Sequence, residues 1–340
     1  EGSLRDLSLR QGLGRQPQGG TMNEDVMLRA DEKKINWYPG HMARAKRALA
    51  DQLSRVDVVV ELCDARIPRA SRNPDLADMI KNKRHLLVLG KADLAEERET
   101  RAWLGYFRAQ GIDCMSFDSI RGKAKDIVAR IEKASADAVA KMAAKGVKKT
   151  VRVMIVGVPN VGKSSLINRM TGKKSAQTGD RPGVTRGKQW LRLQNGMQLL
   201  DTPGILWPKF EDPKAGLNLA FCGSIKDEIL NIDELSLEPT LAMELIGVLA
   251  EHYPQLLMNR YKLEETGETP LETMEMMAQK RGCILPGKRI DYERIGKLTL
   301  DEFRGGKIGR ITLELPPVPA KNAVADSHSL AETPAKEAQE

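Results

Sequence analysis

Residues 157–164 have the sequence Gly-Val-Pro-Asn-Val-Gly-Lys-Ser, between a strand-like run at 151–156 and a helix-like run at 164–170. This context favours a phosphate-binding loop, here called the phosphate loop, over a chance glycine-rich turn. Its glycines let successive N–H groups and the helix N-terminus face phosphate charge. Lys163 is predicted to reach the β and γ phosphates, and Ser164 to ligate Mg²⁺. The residues predicted to contact the nucleotide here are Asn160, Val161, Gly162, Lys163, Ser164 and Ser165.

A second segment adds to the phosphate end of this site. A strand-like run at 197–200 leads into Asp-Thr-Pro-Gly at 201–204. This Asp-x-x-Gly pattern holds Mg²⁺ through water and senses the γ phosphate through a backbone amide, which gives these roles to Asp201 and Gly204. Ras-like enzymes place a glutamine next, to orient the attacking water. Here that position is Ile205, so the water has to be positioned from elsewhere.

A segment upstream of the phosphate loop indicates which base the bound nucleotide carries. The apolar run at 85–89 ends in Gly-Lys-Ala-Asp at 90–93, here called the base-reading loop. It resembles the guanine-binding pattern Asn-Lys-x-Asp, with Lys91 retained and Gly90 in the first position. Asp93 is predicted to accept hydrogen bonds from the guanine N1–H and 2-amino groups, which adenine cannot supply. Ser119 is a candidate for supporting the base.

The order of these segments differs from that of Ras-like GTPases, in which the base-reading loop comes last. Here it precedes the phosphate loop, so we interpret the chain as a circularly permuted GTPase. Three more segments are Trp-Tyr-Pro-Gly-His-Met at 37–42, Asp-Ala-Arg-Ile-Pro at 64–68 and Pro-Gly-Val-Thr-Arg at 182–186. With them, the chain resembles the ribosome biogenesis GTPase A family (YlqF/RbgA) and its organellar relatives, from about residue 35 to residue 315.

The resemblance implies roles for three residues of the active site. His41 is implied to reach the γ phosphate and to accept a hydrogen bond from the attacking water. The alternative is that His41 packs against or caps the helix that begins at Met42. Asn160 occupies the position that helps hold K⁺ beside Mg²⁺ in potassium-activated GTPases, in place of an arginine finger, or it braces the loop. Thr185 is implied to contact Mg²⁺ and the γ phosphate, with Thr178 as the alternative.

The resemblance also implies a function. The chain would be a GTP-hydrolysing assembly factor that uses Mg²⁺ and K⁺. It would bind the large ribosomal subunit and its rRNA during late maturation, and be released after hydrolysis. Two other classes fit a phosphate loop: a small-molecule phosphotransferase that uses ATP, and an RNA-binding scaffold that senses GTP with little catalysis. The first needs an acceptor pocket and a base, for which the sequence has no motif.

The fold class is predicted from the alternation of strand-like runs with helix-length polar stretches, which indicates a mostly parallel α/β P-loop GTPase sheet. The runs are 56–62, 85–89, 112–117, 151–156 and 197–200. Farther on, Leu241, Leu245 and Leu249 share one helical face, and Thr-Pro-Leu-Glu at 269–272 begins another helix, so a small all-helical domain follows. The predicted parts are a disordered extension at 1–34, the permuted GTPase domain at 35–210, a helical RNA-binding domain at 211–315 and a disordered tail at 316–340.

Composition agrees with this interpretation. The 340 residues carry a formal net charge of +8, which favours a polyanionic partner. The four cysteines are widely separated, which is typical of reduced thiols and not of a zinc site. No run approaches the ~18 apolar residues of a membrane span, so no membrane association is expected. We expect a monomer in the cytoplasm, with an organellar matrix left open.

Overall fold

The structure, a computed structural model, describes residues 47, 49–172, 189–193, 195–201, 212–225 and 237–317. They all belong to one unit, residues 37–340. The strands are β1 (Val58–Asp64), β2 (Arg84–Gly90), β3 (Cys114–Ser116), β4 (Arg152–Val156), β5 (Gln189–Arg192), β6 (Gln198–Asp201), β7 (Ile284–Leu285) and β8 (Arg289–Ile290). The helices are α1 (Pro74–Met79), α2 (Glu97–Ala109), α3 (Ala124–Ala143), α4 (Lys163–Thr171), α5 (Pro213–Phe221), α6 (Leu237–His252), α7 (Pro254–Tyr261), α8 (Pro270–Arg281) and α9 (Tyr292–Arg304).

Six strands form one sheet in the order β3-β2-β1-β4-β6-β5. All neighbours are parallel except β5, which runs antiparallel to β6. The mostly parallel sheet and its five predicted strands are confirmed; β5 is an additional edge strand. The carboxyl ends of parallel strands lie along one edge of a sheet, so β1, β2, β3, β4 and β6 all end there.

The central strand β1 shows why this sheet needs helices on both faces. All seven of its residues are buried. Val58, Val60 and Leu62 point into one apolar core, together with residues of α3, α4 and α6. Val59 and Cys63 point to the other face, into two smaller cores formed with α1 and α2. Burial on both faces explains why this strand is mostly apolar; its two carboxylates, Glu61 and Asp64, are paired with basic side chains.

Among the described residues after 211, the regular secondary structure is all α-helical except for the two-stranded hairpin β7–β8, which the sequence did not predict. Leu241, Leu245 and Leu249 are buried on one face of α6, as their spacing predicted. The Thr269 hydroxyl accepts from the Glu272 amide at the start of α8, which confirms the predicted N-cap.

This region shares a core with the sheet. The largest apolar cluster joins residues of β1 and β4 to residues of α5, α6 and α9. The predicted boundary at residue 210 lies outside the described residues, as do the predicted disordered segments, apart from residues 316 and 317. In the part of the chain that is described, no helix has the length and apolar character needed to cross a membrane.

Candidate active site

The phosphate loop follows β4 and leads directly into α4. A Cβ on Gly157 would lie 2.4 Å from the Leu62 carbonyl oxygen of β1, so this position accepts only glycine. Gly162 has φ 104° at the N-cap of α4, again a conformation that favours glycine. The Lys163 ammonium group donates to the carbonyl oxygens of Gly157 and Val158 at 3.0 and 2.8 Å. The loop therefore presents a lysine and a helix N-terminus on the side where phosphates bind.

Ser164 and Ser165 lie in the first turn of α4, the former half-buried and the latter exposed. Val161 is 1% exposed and packs into the largest core, so its backbone is the part that can face a nucleotide. Asp201 is the last residue of β6, and β6 is the neighbour of β4 in the sheet. The backbone of Asp201 is thus placed at the same edge of the sheet as the phosphate loop.

Asn160 has a contact that sequence analysis did not predict. Its backbone is left-handed, with φ 56°. Its side-chain Nδ2 donates to the carbonyl oxygen of Gly223 at 2.8 Å, across 63 residues of sequence. Gly223 follows α5, in the region predicted to bind RNA, and no local pattern marks it as part of the site.

The base-reading loop follows β2 and is held to the loop after β3. The Asp93 carboxylate accepts from the Ser119 amide at 2.6 Å. The Ser119 hydroxyl accepts from the Lys91 amide at 3.2 Å. Arg169 of α4 donates to the carbonyl oxygens of Ser119 and Ile120, so the helix that begins at the phosphate loop also contacts this pair of loops. Lys91, Asp93 and Ser119 are thus brought together, although 26 residues separate Asp93 from Ser119.

Gly90 replaces the usual asparagine for a visible reason. A Cβ at this position would lie 2.9 Å from Leu62 Cδ1 and 3.5 Å from the Cys63 carbonyl oxygen. Leu62 is buried in the core, so an asparagine here would require that side chain to move.

A buried ion network supports the base-reading loop, and sequence analysis missed it. The Asp64 carboxylate accepts from Arg66 Nε at 3.0 Å and from an Arg66 terminal nitrogen at 2.8 Å. It also pairs with Lys91 Nζ at 3.1 Å. Burial alone would raise the pKa of the Asp64 carboxyl, but Arg66 and Lys91 hold this pKa well below its usual range. Arg66 itself lies over the Phe303 ring at 5.1 Å. Asp-Ala-Arg at 64–66 belongs to one of the segments that carry the family resemblance. In the structure this segment positions the base-reading loop.

A recess joins the two loops. Its lining residues come from the ends of β1 and β2, from the loop after β3, and from the phosphate loop and α4; they are Leu62, Gly90, Phe117, Ser119, Val161, Gly162, Ser165, Leu166 and Arg169. Phosphate-contacting and base-contacting groups therefore border one space. Four predicted site residues lie outside the described residues: His41, Thr185, its alternative Thr178, and Gly204.

Comparisons with known proteins agree with this geometry. Residues 152–259 match the family described as 50S ribosome-binding GTPase. Ribosome biogenesis GTPase A of Priestia megaterium is 46% identical over 285 residues, covering 83% of this chain and 97% of the relative. Mitochondrial ribosome-associated GTPase 1 of Bos taurus is 30% identical over 304 residues, covering 82% and 88%. GNP-bound YlqF from T. maritima is a similar solved structure, with a TM-score of 0.56, 29% identity and coverage of 80% and 98%.

The fold and the site define a P-loop GTPase in which the base-reading loop precedes the phosphate loop along the chain. A phosphate loop alone leaves GTP and ATP open. The sequence identity to the relatives decides between GTP and ATP: the chain belongs to the ribosome biogenesis GTPase A family and hydrolyses GTP. The phosphotransferase alternative is thereby set aside.

Proposed function

We propose that this chain is an assembly factor that binds the large ribosomal subunit in its GTP-bound state during late maturation and leaves after hydrolysis. The observation that carries the proposal is the match of residues 152–259, the segment with the phosphate loop, to a 50S ribosome-binding GTPase family. The names of the relatives point the same way. We further propose that the chain works as a monomer, in the cytoplasm or in an organellar matrix.

The region 211–315 is proposed as the rRNA-contacting domain. Its last two helices and the hairpin between them carry exposed basic residues, Lys280, Lys288, Arg289, Arg294 and Lys297. Lysine and arginine that neutralise RNA phosphates release counterions, so binding should weaken as salt is added. The net charge of +8 belongs to the whole chain and favours a polyanionic partner without locating the contact surface.

The site fits the magnesium ion that GTPases of this family use. The half-buried Ser164 lies in the first turn of α4, beside the strand that ends at Asp201. We propose that Mg²⁺ is held by Ser164, Thr185 and, through water, Asp201, with the Gly204 amide near the γ phosphate. The ion would offset the negative charge of the β and γ phosphates. Lys163 would bind the same phosphates as a positive point charge.

Asn160 is proposed to hold K⁺ with its side-chain oxygen. A monovalent cation here would stabilise charge that develops between the β and γ phosphates, the work of an arginine finger in other GTPases. The side-chain amide of Asn160 lies within the phosphate loop, and its nitrogen donates to the Gly223 carbonyl oxygen at 2.8 Å. Replacing K⁺ by Na⁺ at equal ionic strength should therefore slow hydrolysis.

His41 is proposed to orient the attacking water, because Ile205 offers no hydrogen-bonding group. His41→Ala should leave GTP and GDP affinities within about threefold of wild type, since a group that acts on the water adds little to ground-state binding. Subunit-stimulated turnover should fall about 100-fold or more. A loss of nucleotide affinity and thermal stability together with the rate would indicate a packing role instead.

The subunit proposal is tested by co-sedimentation with purified large and small ribosomal subunits. We expect pelleting with large subunits only, strongest with a non-hydrolysable GTP analogue, weaker with GDP and weaker still in added salt. A Lys288→Glu/Arg289→Glu variant should lose binding. A Lys141→Glu/Lys145→Glu variant, with the same charge change on and just after α3, should keep it. Equal binding with the GTP analogue and with GDP, together with no stimulation of hydrolysis by the subunits, would favour the scaffold alternative.

A further inference from the structure

The turn after α5 holds the side chain of Asn160. In this turn the Gly223 amide donates to the Ala220 carbonyl oxygen at 2.9 Å. The Ser224 amide donates to the Leu219 carbonyl oxygen at 2.8 Å. This is the Schellman pattern, and Gly223 has the left-handed φ of 70° that the pattern requires. The carbonyl oxygen of Gly223 then accepts from Asn160 Nδ2, so the turn determines where that amide lies.

Arg304, the last residue of α9, holds the turn in its place. Its Nε donates to the Phe221 carbonyl oxygen at 3.1 Å, and a terminal nitrogen donates to the Ala220 carbonyl oxygen at 2.9 Å. The last carbonyls of a helix lack partners within the helix and carry partial negative charge, so a guanidinium group is favourable there. A Cβ on Gly223 would lie 3.2 Å from Arg304 Nε, which shows how closely the guanidinium group packs against the turn.

We infer that Arg304 is a positioning residue for GTP hydrolysis, acting through the turn at 222–224 on Asn160. An asparagine amide has its oxygen and its nitrogen on one plane, so binding the nitrogen to Gly223 also sets the direction of the oxygen. A shift of the turn moves that oxygen, and small misplacements of a site group lower rates strongly. The inference rests on the proposed role of Asn160 in the site; it does not depend on the ribosomal partner.

The test is basal hydrolysis by the full chain without ribosomal subunits. Arg304→Ala should lower kcat about fivefold or more with KM little changed, because the geometry of the site and not ground-state binding is altered. Arg304→Lys should recover part of the rate, since an ammonium group can still donate to one of the two carbonyls. Residues acting through one another are not additive. The double variant Arg304→Ala/Asn160→Ala should therefore match Asn160→Ala alone, and both should have lost the advantage of K⁺ over Na⁺.

Arg281→Ala is the matched control. Arg281 also donates to a backbone carbonyl oxygen, that of Arg260, and lies over the Tyr261 ring, and these contacts stay within the helical region. Arg281→Ala should lower the melting temperature and keep the wild-type kcat and K⁺ response.

Four outcomes overturn the inference. The first is an unchanged kcat in Arg304→Ala while Asn160→Ala is slow; this leaves the proposed role of Asn160 standing. The second is a double variant whose loss of rate is the product of the losses in the two single variants. The third is a kcat loss in Arg281→Ala as large as that in Arg304→Ala at equal melting temperature. The fourth is a wild-type rate in Asn160→Ala, which removes the role of Asn160 as well.

Discussion

The phosphate loop and the base-reading loop are held in different ways. Lys163 bonds to carbonyl oxygens six and five residues before it, so the lysine of the phosphate loop is held by a short stretch of chain, although Asn160 of the same loop reaches Gly223. The base-reading loop depends on Ser119, 26 residues from Asp93, and on Lys91 pairing with Asp64. Arg66, the other partner of Asp64, donates to the Phe303 carbonyl oxygen, 237 residues away. Distant substitutions should therefore disturb guanine selection before they disturb phosphate binding.

The largest effect is expected from Asp64→Ala, which would leave Arg66 buried without its carboxylate. Removing one partner of a buried ion pair costs about 3–5 kcal/mol, so the free energy of unfolding should fall by this amount in urea titrations. Asp113→Ala is the control, because the Asp113–Arg130 pair is 43% and 41% exposed. Its loss should stay below about 1 kcal/mol. Equal losses in the two variants would mean that the buried network does not support the base-reading loop.

Lys163→Ala tests the local half of the comparison. Loss of its charge at the phosphates should lower kcat about 100-fold or more, because electrostatic stabilisation of the transition state is removed. The fold should stay intact, since the two hydrogen bonds of Lys163 to Gly157 and Val158 join residues of one loop. Lys83→Ala provides the control: Lys83 Nζ donates to the Val56 carbonyl oxygen at 2.9 Å, remote from the phosphate loop. Steady-state hydrolysis and circular dichroism distinguish the two, and normal turnover in Lys163→Ala would refute the assignment of the phosphate loop.

Asp93→Asn tests base selection by itself. The preference for GTP over xanthosine triphosphate should fall about 100-fold, since an amide cannot accept both guanine hydrogen bonds. Competition binding with GTP, xanthosine triphosphate and ATP measures this preference. Asp118→Asn is the matched control, because Asp118 also accepts backbone amides, those of Ile120 and Arg121, at 2.7 and 2.6 Å. Unchanged selectivity in Asp93→Asn would show that another residue selects the base.

Gly90→Asn should have the smallest effect. The substitution restores the asparagine of the usual guanine-binding pattern, but the added Cβ would lie 2.9 Å from Leu62 Cδ1. We expect a loss of about 1 kcal/mol in stability from this crowding and a GTP affinity within about threefold of wild type. Gly105→Asn in α2, where no atom lies within 4 Å of the added Cβ, controls for the change of residue type. A tenfold gain in GTP affinity would show that the missing asparagine, and not Asp93, limits binding.

The parts of the fold that sequence predicted are those with short-range patterns. Apolar runs of five to seven residues identified β1, β2 and β4, and capping residues identified the start of α8. The edge strand β5 was missed because its sequence, Gln-Trp-Leu-Arg, contains no apolar run. Its Trp190 is 41% exposed, so it lacks the buried character of the other strands.

The residues of the site also differ in whether a short-range sequence pattern predicts them. The glycines of the phosphate loop and the Asp93 motif have spacings that can be recognised along the chain. The contacts of Asn160 with Gly223, and of Arg66 with Phe303, bring together residues 63 and 237 positions apart. No periodicity relates such residues, because they meet only after α5 and α9 have packed against the sheet. A sequence pattern therefore identifies the residues predicted to contact the nucleotide more readily than the residues that position them.

The permuted order has a consequence for the growing polypeptide. β1 pairs with β2, which comes soon after it, and with β4, which is synthesised about 90 residues later; at ~5–20 residues per second this is a delay of roughly 5–20 seconds. During that time one edge of a strand that is fully buried in the finished fold has no partner, and such edges pair readily with other chains. The nascent half that carries the base-reading loop is thus made first, and we expect it to be the half that most needs a chaperone.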